Sequence, residues 1–282
     1  MRLPVNDNEL EVEVFGAGDA PVLIAHHGAP GLGSRAEPRA TFAPFADRFR
    51  VIVFDARGSG ASEGRPPFSH EQWVADVDAL RAWAGVERFV MAGGSYGGFI
   101  AMEYAIRHPE RLRALVLRDT SADHENRHAA RRNALASARV RVDVEKLDRI
   151  NAGLVRDDAD LADCWREILP LYDHDYDPAA VEARAAATPY RYRTHNHAFA
   201  VNMPSYDVKE RLAAITCPTL VTVGRHDWIT PVAGSETIAA RIPGARLVVF
   251  ERSGHSPQIE EAELWRQVVG GFLHEVGADE RE

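Results

Sequence analysis

The chain has 282 residues, of which 45% are hydrophobic and 27% are charged, and its formal net charge is -9. This composition is typical of a soluble globular protein with a large core, in one α/β domain or two smaller ones. No apolar run reaches the roughly 18 residues of a membrane helix, and no Lys/Arg cluster with interleaved aromatic residues suggests nucleic-acid binding. We therefore expect neither a membrane nor a nucleic acid as partner.

The amino-terminal residues and the cysteines bear on the compartment. The stretch from Met1 to Asp7 lacks the apolar segment of a secretory signal and the Arg/Ser-rich character of a transit peptide. Cys164 and Cys217 lack metal-site spacing and are expected to be reduced and buried. The expected location is the cytoplasm.

Seven short apolar segments predict β-strands. They are residues 10–15, 22–25, 51–54, 89–92, 114–117, 219–223 and 246–250. The first alternates apolar and acidic residues, as an edge strand does, whereas 22–25 and 51–54 are continuous apolar runs typical of buried strands. Helix-like segments separate the strands, which favours right-handed βαβ crossovers. The predicted fold class is a doubly wound, mostly parallel α/β sheet.

The strand pattern stops between residues 121 and 206. Helical patterns at 144–154, 161–172 and 178–187 predict an inserted helical cap, with residues 1–120 and 207–282 forming the core. Such an insert lies over the carboxyl ends of the strands, where open α/β sheets bind ligands. The Arg-rich stretch 127–141 has alanines at helical spacing and is interpreted as a solvated helix face.

A glycine-rich turn with one serine follows the strand 89–92. In Gly93-Gly94-Ser95-Tyr96-Gly97, glycines two positions before and after the serine allow a sharp turn into the helical stretch 99–108. That turn lifts the hydroxyl above the sheet edge and directs the helix N-terminus towards it. The pattern is that of a nucleophile elbow, so Ser95 is the predicted nucleophile and a plain structural turn is the alternative.

A serine hydroxyl needs a base to activate it and an acid to orient that base. His255 is the predicted base among twelve histidines, because Ser253-Gly254-His255 follows the last strand in a loop that returns to the carboxyl edge. Asp227 is the predicted acid, and the order Ser95, Asp227, His255 is the nucleophile, acid, base order known for nucleophile-elbow enzymes. Asp119, which follows the preceding strand at the same edge, is the alternative acid.

Attack of a serine on a carbonyl creates an oxyanion that backbone N–H groups stabilise. One predicted donor is Tyr96, directly after the nucleophile, and the other is Ala29 in His27-Gly28-Ala29-Pro30-Gly31. His26 and His27 are interpreted as supports of that loop rather than as bases.

Several motifs along the chain together resemble one family. They are His27-Gly28-Ala29-Pro30-Gly31, Asp55-Ala56-Arg57-Gly58-Ser59-Gly60-Ala61-Ser62, Gly93-Gly94-Ser95-Tyr96-Gly97-Gly98, Cys217-Pro218-Thr219-Leu220 with Gly224-Arg225-His226-Asp227, and Gly254-His255. The set is similar to that of the proline iminopeptidase branch of the α/β-hydrolases, over the core outside the cap. The resemblance implies that Asp55, Arg57 and Gly58 form a structural turn near the active edge.

Departures from that branch concern the substrate. Its oxyanion loop usually has glycine where this chain has Ala29. Alanine still supplies the backbone N–H. Its aminopeptidases bind a free amine through cap carboxylates and often through an acid directly after the triad aspartate, where this chain has Trp228. In the part of the cap where such an amine-binding carboxylate is expected, this chain has His195-Asn196-His197. Trp228, His195, Asn196 and His197 are the candidate substrate-binding residues.

Other cap residues leave alternatives open. A substitute amine anchor could come from the cap acids, although solvated turn residues are the favoured interpretation; these acids are Asp173, Asp175, Asp177 and Glu182. His195 and His197 alternate as in an extended segment, but no third ligand is placed by the sequence, so no metal site is predicted.

The resulting hypothesis is a cofactor-independent serine hydrolase that cleaves a small carboxylic ester or lactone through an acyl-enzyme. The alternative is a proline iminopeptidase-type aminopeptidase or an amidase. A ligand-binding receptor that keeps the hydrolase fold without turnover is the alternative from another class. The sequence does not define the oligomeric state.

Overall fold

The computed structural model describes residues 1–280, which contain an eight-stranded β-sheet. The strands are β1 (Arg2–Val5), β2 (Asn8–Phe15), β3 (Val22–His26), β4 (Arg50–Phe54), β5 (Phe89–Gly94), β6 (Leu112–Arg118), β7 (Thr219–Gly224) and β8 (Arg246–Phe250). Their order in the sheet is β1-β2-β4-β3-β5-β6-β7-β8. β1 and β2 pair antiparallel to their neighbours, and β3 to β8 run parallel. The predicted α/β fold class is confirmed.

Eleven α-helices of the described residues connect or cover these strands. They are α1 (Ala36–Phe42), α2 (His70–Ala84), α3 (Tyr96–Arg107), α4 (Asn126–Leu135), α5 (Val144–Asn151), α6 (Asp158–Ile168), α7 (Pro178–Ala187), α8 (Tyr192–His197), α9 (Val232–Arg241), α10 (Pro257–Glu260) and α11 (Ala262–Glu275). None of these helices is long and apolar enough to cross a lipid bilayer.

Two apolar clusters hold helices on opposite faces of the sheet. Alternate residues of β5 divide between them: Met91 packs in the cluster that contains α2, α3 and α9, whereas Val90 packs in the cluster that contains α1 and α11. Side chains of successive strand residues point to opposite faces, so a strand that is apolar throughout is buried on both. This arrangement brings the carboxyl ends of β3 and β5 to β8 to one edge.

β1 is a strand that the apolar pattern does not predict. It has four residues, and its alternation of the buried Leu3 and Val5 with exposed neighbours is too short to predict a strand. Pro4 is tolerated in this strand because β1 lies at the edge of the sheet, where one side of the strand has no partner strand.

The segment 121–206, here called the cap segment, contains α4 to α8. Its own apolar cluster includes Leu147, Leu161 and Ile168, and it also takes in Leu32 and Trp228 from outside the segment. The free, buried Cys164 lies in the same cluster, and Cys217 is likewise free and buried.

Two details of the cap segment differ from the sequence interpretation. The alternation of His195 and His197 suggested an extended segment, but both lie in α8, which continues into a π-helical turn at Ala198–Asn202. Two alternating residues are too short a pattern to separate a strand from a helix. The Arg-rich helix α4 ends at Leu135 rather than near 141, and its Ala130 and Ala134 face inward.

Candidate active site

Ser95 lies in a strained turn between β5 and α3. Its backbone has φ 54° and ψ -125°, a conformation that is uncommon for a residue with a side chain. A Cβ on Gly93 would lie 2.3 Å from the Gly97 carbonyl oxygen, and one on Gly97 would lie 2.4 Å from the His27 carbonyl oxygen. The glycines are therefore required by close backbone contacts on both sides of the serine.

His255 and Asp227 are joined at the ends of β8 and β7. Nδ1 of His255 donates a 2.8 Å hydrogen bond to Oδ2 of Asp227, and both side chains are buried. The Thr230 hydroxyl donates to the same oxygen at 2.7 Å, while the N–H groups of Ile229 and Thr230 donate to Oδ1 at 2.9 and 3.0 Å. Burial alone raises the pKa of Asp227, but His255 and these donors outweigh it and hold the pKa below its usual value.

The second ring nitrogen of His255 differs from the first in its surroundings. Its Nε2 is buried without a hydrogen-bond partner in the described part of the chain, and the residue lines the same cavity as Ser95. The ring packs edge-on against Tyr172 at 5.1 Å between centroids. Because Nδ1 carries the hydrogen shared with Asp227, Nε2 of the neutral ring is the nitrogen that can accept a proton.

Asp119, the alternative acid, lies next to this pair. It is fully buried with φ 45°, and a carboxylate oxygen of Asp119, one of Asp227 and a ring nitrogen of His255 all lie within 4.8 Å of one another. Its Oδ1 accepts a 2.9 Å hydrogen bond from the Gly224 N–H. The 2.8 Å hydrogen bond from His255, however, goes to Asp227.

The predicted oxyanion loop lies against the nucleophile. A Cβ built on Gly28 would be 3.4 Å from Cβ of Ser95, and the next residue, Ala29, lines the cavity. The side chain of Tyr96 turns away from the cavity, since its hydroxyl bonds to Nε2 of His70 at 2.8 Å and donates to the Ala198 carbonyl at 3.3 Å. Tyr96 can therefore offer only its backbone N–H to a ligand beside Ser95.

His26 and His27 hold this loop from below. Nδ1 of His27 donates to the Gly28 carbonyl at 2.9 Å, and its Nε2 accepts from the Ala56 N–H at 2.9 Å. Nδ1 of His26 donates to the His27 carbonyl at 2.8 Å. Burial lowers the pKa of His26 to about 3 and that of His27 to about 4, so both rings are neutral at pH 7.

The turn at Asp55, Arg57 and Gly58 is structural. The fully buried guanidinium of Arg57 is paired with Asp76 at 2.8 Å, and Asp55 accepts hydrogen bonds from the backbone N–H groups of Arg35 and Ala61.

The cavity beside Ser95 has a volume of about 290 Å³ and two different walls. The cap segment supplies a largely apolar wall of Trp165, Leu169, Tyr172, Ala187 and Pro189. The core supplies a polar wall in which Oε1 of Glu37 accepts from Arg118 at 2.9 Å and from Gln258 at 3.1 Å. No motif marks these three polar residues; the one available signal is that Arg118 ends the strand before Asp119.

The four candidate substrate-binding residues lie elsewhere, which corrects that interpretation. Asn196 bonds through its side chain to both backbone groups of Val155. The buried ring of His195 stacks on Phe199 at 4.4 Å, and His197 packs edge-on against Phe68. Trp228 is 5% exposed and packs edge-on against Tyr172. Within residues 1–280, the cavity lining includes none of these four side chains, because each is used in packing the cap segment.

Three of the four cap acids have other partners. Asp173 forms an ion pair with Arg184 at 2.8 Å, and Glu182 pairs with Arg166 at 3.0 Å. Asp177 caps the N-terminus of α7 by accepting from the Ala179 N–H. Asp175, like the other three, is not among the described residues that line the cavity.

Comparison with known proteins gives the family. The model of the alpha/beta hydrolase fold matches residues 21–262. The chain belongs to the α/β-hydrolase family. It is 32% identical over 264 residues to a protein named proline iminopeptidase PfmaB from Pestalotiopsis fici, covering 92% of this chain and 94% of that protein. This likeness supports the proline iminopeptidase-like branch that the motifs resemble.

Other relatives have different names. A 2-hydroxymuconate semialdehyde hydrolase from Pseudomonas sp. (strain CF600) is 31% identical, with 99% of both chains covered. Among solved structures, a thermophilic esterase from Thermogutta terrifontis has a TM-score of 0.76 and 29% identity, with 98% of each chain covered. These α/β-hydrolase relatives are enzymes, and their names differ in substrate.

Proposed function

We propose that this protein is a cofactor-independent serine hydrolase in which Ser95, His255 and Asp227 are the nucleophile, the base and the orienting acid. The observation that carries the proposal is the 2.8 Å hydrogen bond from Nδ1 of His255 to Asp227, with His255 on the cavity that Ser95 lines. A buried carboxylate that fixes the tautomer of a histidine beside an elbow serine is the arrangement that activates a serine hydroxyl.

The reaction proceeds in two halves. Ser95 Oγ attacks the substrate carbonyl carbon while Nε2 of His255 accepts the hydroxyl proton, and Asp227 stabilises the imidazolium. The backbone N–H groups of Ala29 and Tyr96 bind the oxyanion, each contributing about 3 kcal/mol to transition-state stabilisation. The leaving group takes the proton from His255. Water then attacks the acyl-enzyme while His255 accepts its proton, and His255 returns that proton to Ser95 Oγ as the acid is released.

The substrate proposed is a small carboxylic ester or lactone. Glu37 is the one carboxylate among the described cavity-lining residues, and Arg118 already binds it. Three of the four cap acids are used in ion pairs or in helix capping, and none of the four is among the described residues that line the cavity. An apolar cavity with a neutralised carboxylate favours an uncharged substrate over one with an ammonium group.

An aminopeptidase or amidase is the second candidate. It is favoured by the 32% identity to the protein named proline iminopeptidase PfmaB, which extends over 92% of this chain. In that case the amine would have to displace Arg118 from Glu37 or bind through a backbone carbonyl.

A parallel kinetic screen tests these proposals. Wild type, Ser95→Ala and the control Ser205→Ala, which removes an exposed hydroxyl bonded to Asn202, are compared on short-chain aryl esters, lactones and proline or alanine arylamides. We expect ester or lactone turnover that Ser95→Ala lowers by at least about 10³-fold and Ser205→Ala leaves unchanged. Turnover that survives Ser95→Ala would reject the serine hydrolase, and dominant arylamide cleavage would reject the ester preference.

The receptor alternative predicts a different time course. An acyl adduct on Ser95 that persists after a single turnover would indicate a ligand-binding protein, whereas steady multiple turnover would indicate an enzyme.

A further inference from the structure

Asp119 is fully buried at the carboxyl end of β6 and bonds to the neighbouring strand. Its backbone N–H donates to the Thr222 carbonyl at 2.8 Å, and its Oδ1 accepts from the Gly224 N–H at 2.9 Å. Gly224 is the last residue of β7, and the loop that carries Asp227 begins directly after it. Asp119 therefore fixes the start of that loop through one carboxyl oxygen.

The other carboxyl oxygen of Asp119 differs in its surroundings. Oδ2 of Asp119 is buried without a hydrogen-bond donor in the described residues, and the nearest cation is Nη1 of Arg118 at 3.6 Å. That guanidinium also donates to Glu37 at 2.9 Å and to the His255 carbonyl at 3.3 Å, so its charge is shared. A carboxyl oxygen of Asp119 lies within 4.8 Å of one of Asp227, and both groups are buried.

Two buried carboxyl groups this close disfavour joint ionisation, because their like charges repel strongly where water is excluded. A proton held by one of them can be donated to the other. Which one holds it follows from the donors that each receives.

Asp227 receives four hydrogen bonds, from two backbone N–H groups, the Thr230 hydroxyl and the His255 ring. Asp119 receives one, from Gly224. Donors favour the ionised form of the group that accepts them, so Asp227 is the carboxylate. Consistently, burial and the charge of Asp227 raise the pKa of Asp119 well above its ordinary value, against the smaller opposing influence of Arg118.

We propose that Asp119 is a positioning residue, a neutral carboxylic acid at pH 7 whose Oδ2 hydroxyl donates a hydrogen bond to Asp227 and keeps that carboxylate directed at His255. The proposal rests on the assignment of Ser95, His255 and Asp227 above and adds a fourth group to it. The donated hydrogen bond stabilises the charge of Asp227 when His255 becomes an imidazolium. Asp119 itself does not touch substrate.

Two substitutions separate a neutral acid from a charged one. Asparagine can accept from Gly224 and donate to Asp227 but cannot ionise, and glycine removes the whole side chain; both tolerate the φ of 45° at this position. We expect Asp119→Asn to retain kcat/KM within about 5-fold of wild type and Asp119→Gly to lose about 50-fold, chiefly in kcat. Thermal melting of both variants establishes that they fold.

Either of two kinetic results would overturn the proposal. A loss in Asp119→Asn as large as that in Asp119→Gly would mean that the charge of Asp119 is required. Wild-type activity in Asp119→Gly would mean that the residue positions nothing.

The proton itself is measured independently of activity. The infrared difference spectrum between wild type and Asp119→Asn at pH 7 is expected to contain the stretching band of a protonated carboxyl group. Absence of that band would refute the neutral acid while leaving Ser95-dependent turnover intact. Conversely, turnover that does not depend on Ser95 would reject the proposed function even where the band is present.

Discussion

The backbone N–H of His255 donates a 2.7 Å hydrogen bond to the carbonyl oxygen of Tyr172, which joins the loop of the proposed base to the cap segment. Glu260 reinforces this connection from α10. Its Oε1 accepts from the His174 N–H at 2.6 Å, and its Oε2 accepts from the Gly254 N–H at 2.7 Å. Three hydrogen bonds thus make the position of the base depend on the position of the cap segment.

Removal of the Glu260 carboxylate should loosen this connection. In Glu260→Ala three backbone N–H groups lose their acceptor, those of His174, Asp175 and Gly254. We expect kcat/KM to fall about 10-fold. Hydrogen exchange at residues 172–175 should become faster, as mass spectrometry would detect. Glu263→Ala, which removes an exposed carboxylate one turn away in α11, is the control and should change neither quantity. Unchanged exchange in Glu260→Ala would show that the cap segment is held by other contacts.

The Thr230 hydroxyl is expected to support the charge on Asp227. Thr230→Val keeps the shape of the side chain but removes the 2.7 Å hydrogen bond to Oδ2. A hydrogen bond to a charged group contributes about 1.5–3 kcal/mol, so we expect kcat to fall by about 10-fold or more. Thr237→Val in α9, whose hydroxyl donates to the Ala233 carbonyl, is the matched control. Equal rates in the two variants would contradict the expectation.

Close packing of the elbow gives a stability prediction. A Cβ on Gly97 would lie 2.4 Å from the His27 carbonyl oxygen and 2.6 Å from that of His26, and neither backbone group can move freely. We expect Gly97→Ala to lower the free energy of unfolding by about 3 kcal/mol or to prevent folding. Gly271→Ala, at an open position of α11, should instead raise it by about 0.5–1 kcal/mol. Urea denaturation measures both changes.

Buried histidines should make the protein labile to acid. Burial lowers the pKa of His26 to about 3 and those of His27, His70 and His195 to about 4. Between the ordinary histidine pKa of about 6.5 and these values, the unfolded chain binds more protons than the folded one. The free energy of unfolding should therefore fall as the pH is lowered from about 6.5 towards 4, by up to about 1.4 kcal/mol per pH unit for each histidine.

Urea denaturation at pH 7, 6 and 5 measures this slope. Compared with wild type, His195→Gln should reduce the slope by about 1.4 kcal/mol per pH unit, because glutamine does not titrate and one fewer proton is taken up on unfolding. A slope equal to that of wild type would mean that the pKa of His195 is not lowered in the folded protein.

The proposed nucleophile, acid and base could be predicted from the sequence because each lies in the turn or loop that follows a strand. Ser95, Asp227 and His255 follow β5, β7 and β8, and parallel strands bring their carboxyl ends to one edge of a sheet. Local glycine patterns then mark the turns. The fold class followed from the alternation of strands and helices, whereas the order of the strands in the sheet was not predicted.

The residues that line the cavity could not be predicted in the same way, because they come from segments that are distant in sequence. Glu37 meets Gln258 across 221 residues, and no local pattern encodes that meeting. In the cap segment, the sequence positions of His195 and Asn196 suggested a contact with substrate. Packing against Phe199 and bonding to Val155 determine their orientation instead.

The separation of the two cavity walls has a consequence for engineering. The apolar wall comes from residues 165–189 of the cap segment, whereas the proposed reacting groups and the polar wall come from strand ends, loops and helices of the core. A mutant library confined to Trp165, Leu169, Ala187 and Pro189 would change the shape offered to the acyl and leaving groups. It would leave every hydrogen bond of Asp227 and Glu37 in place. Substrate selectivity could then be altered without changing the proposed reacting groups.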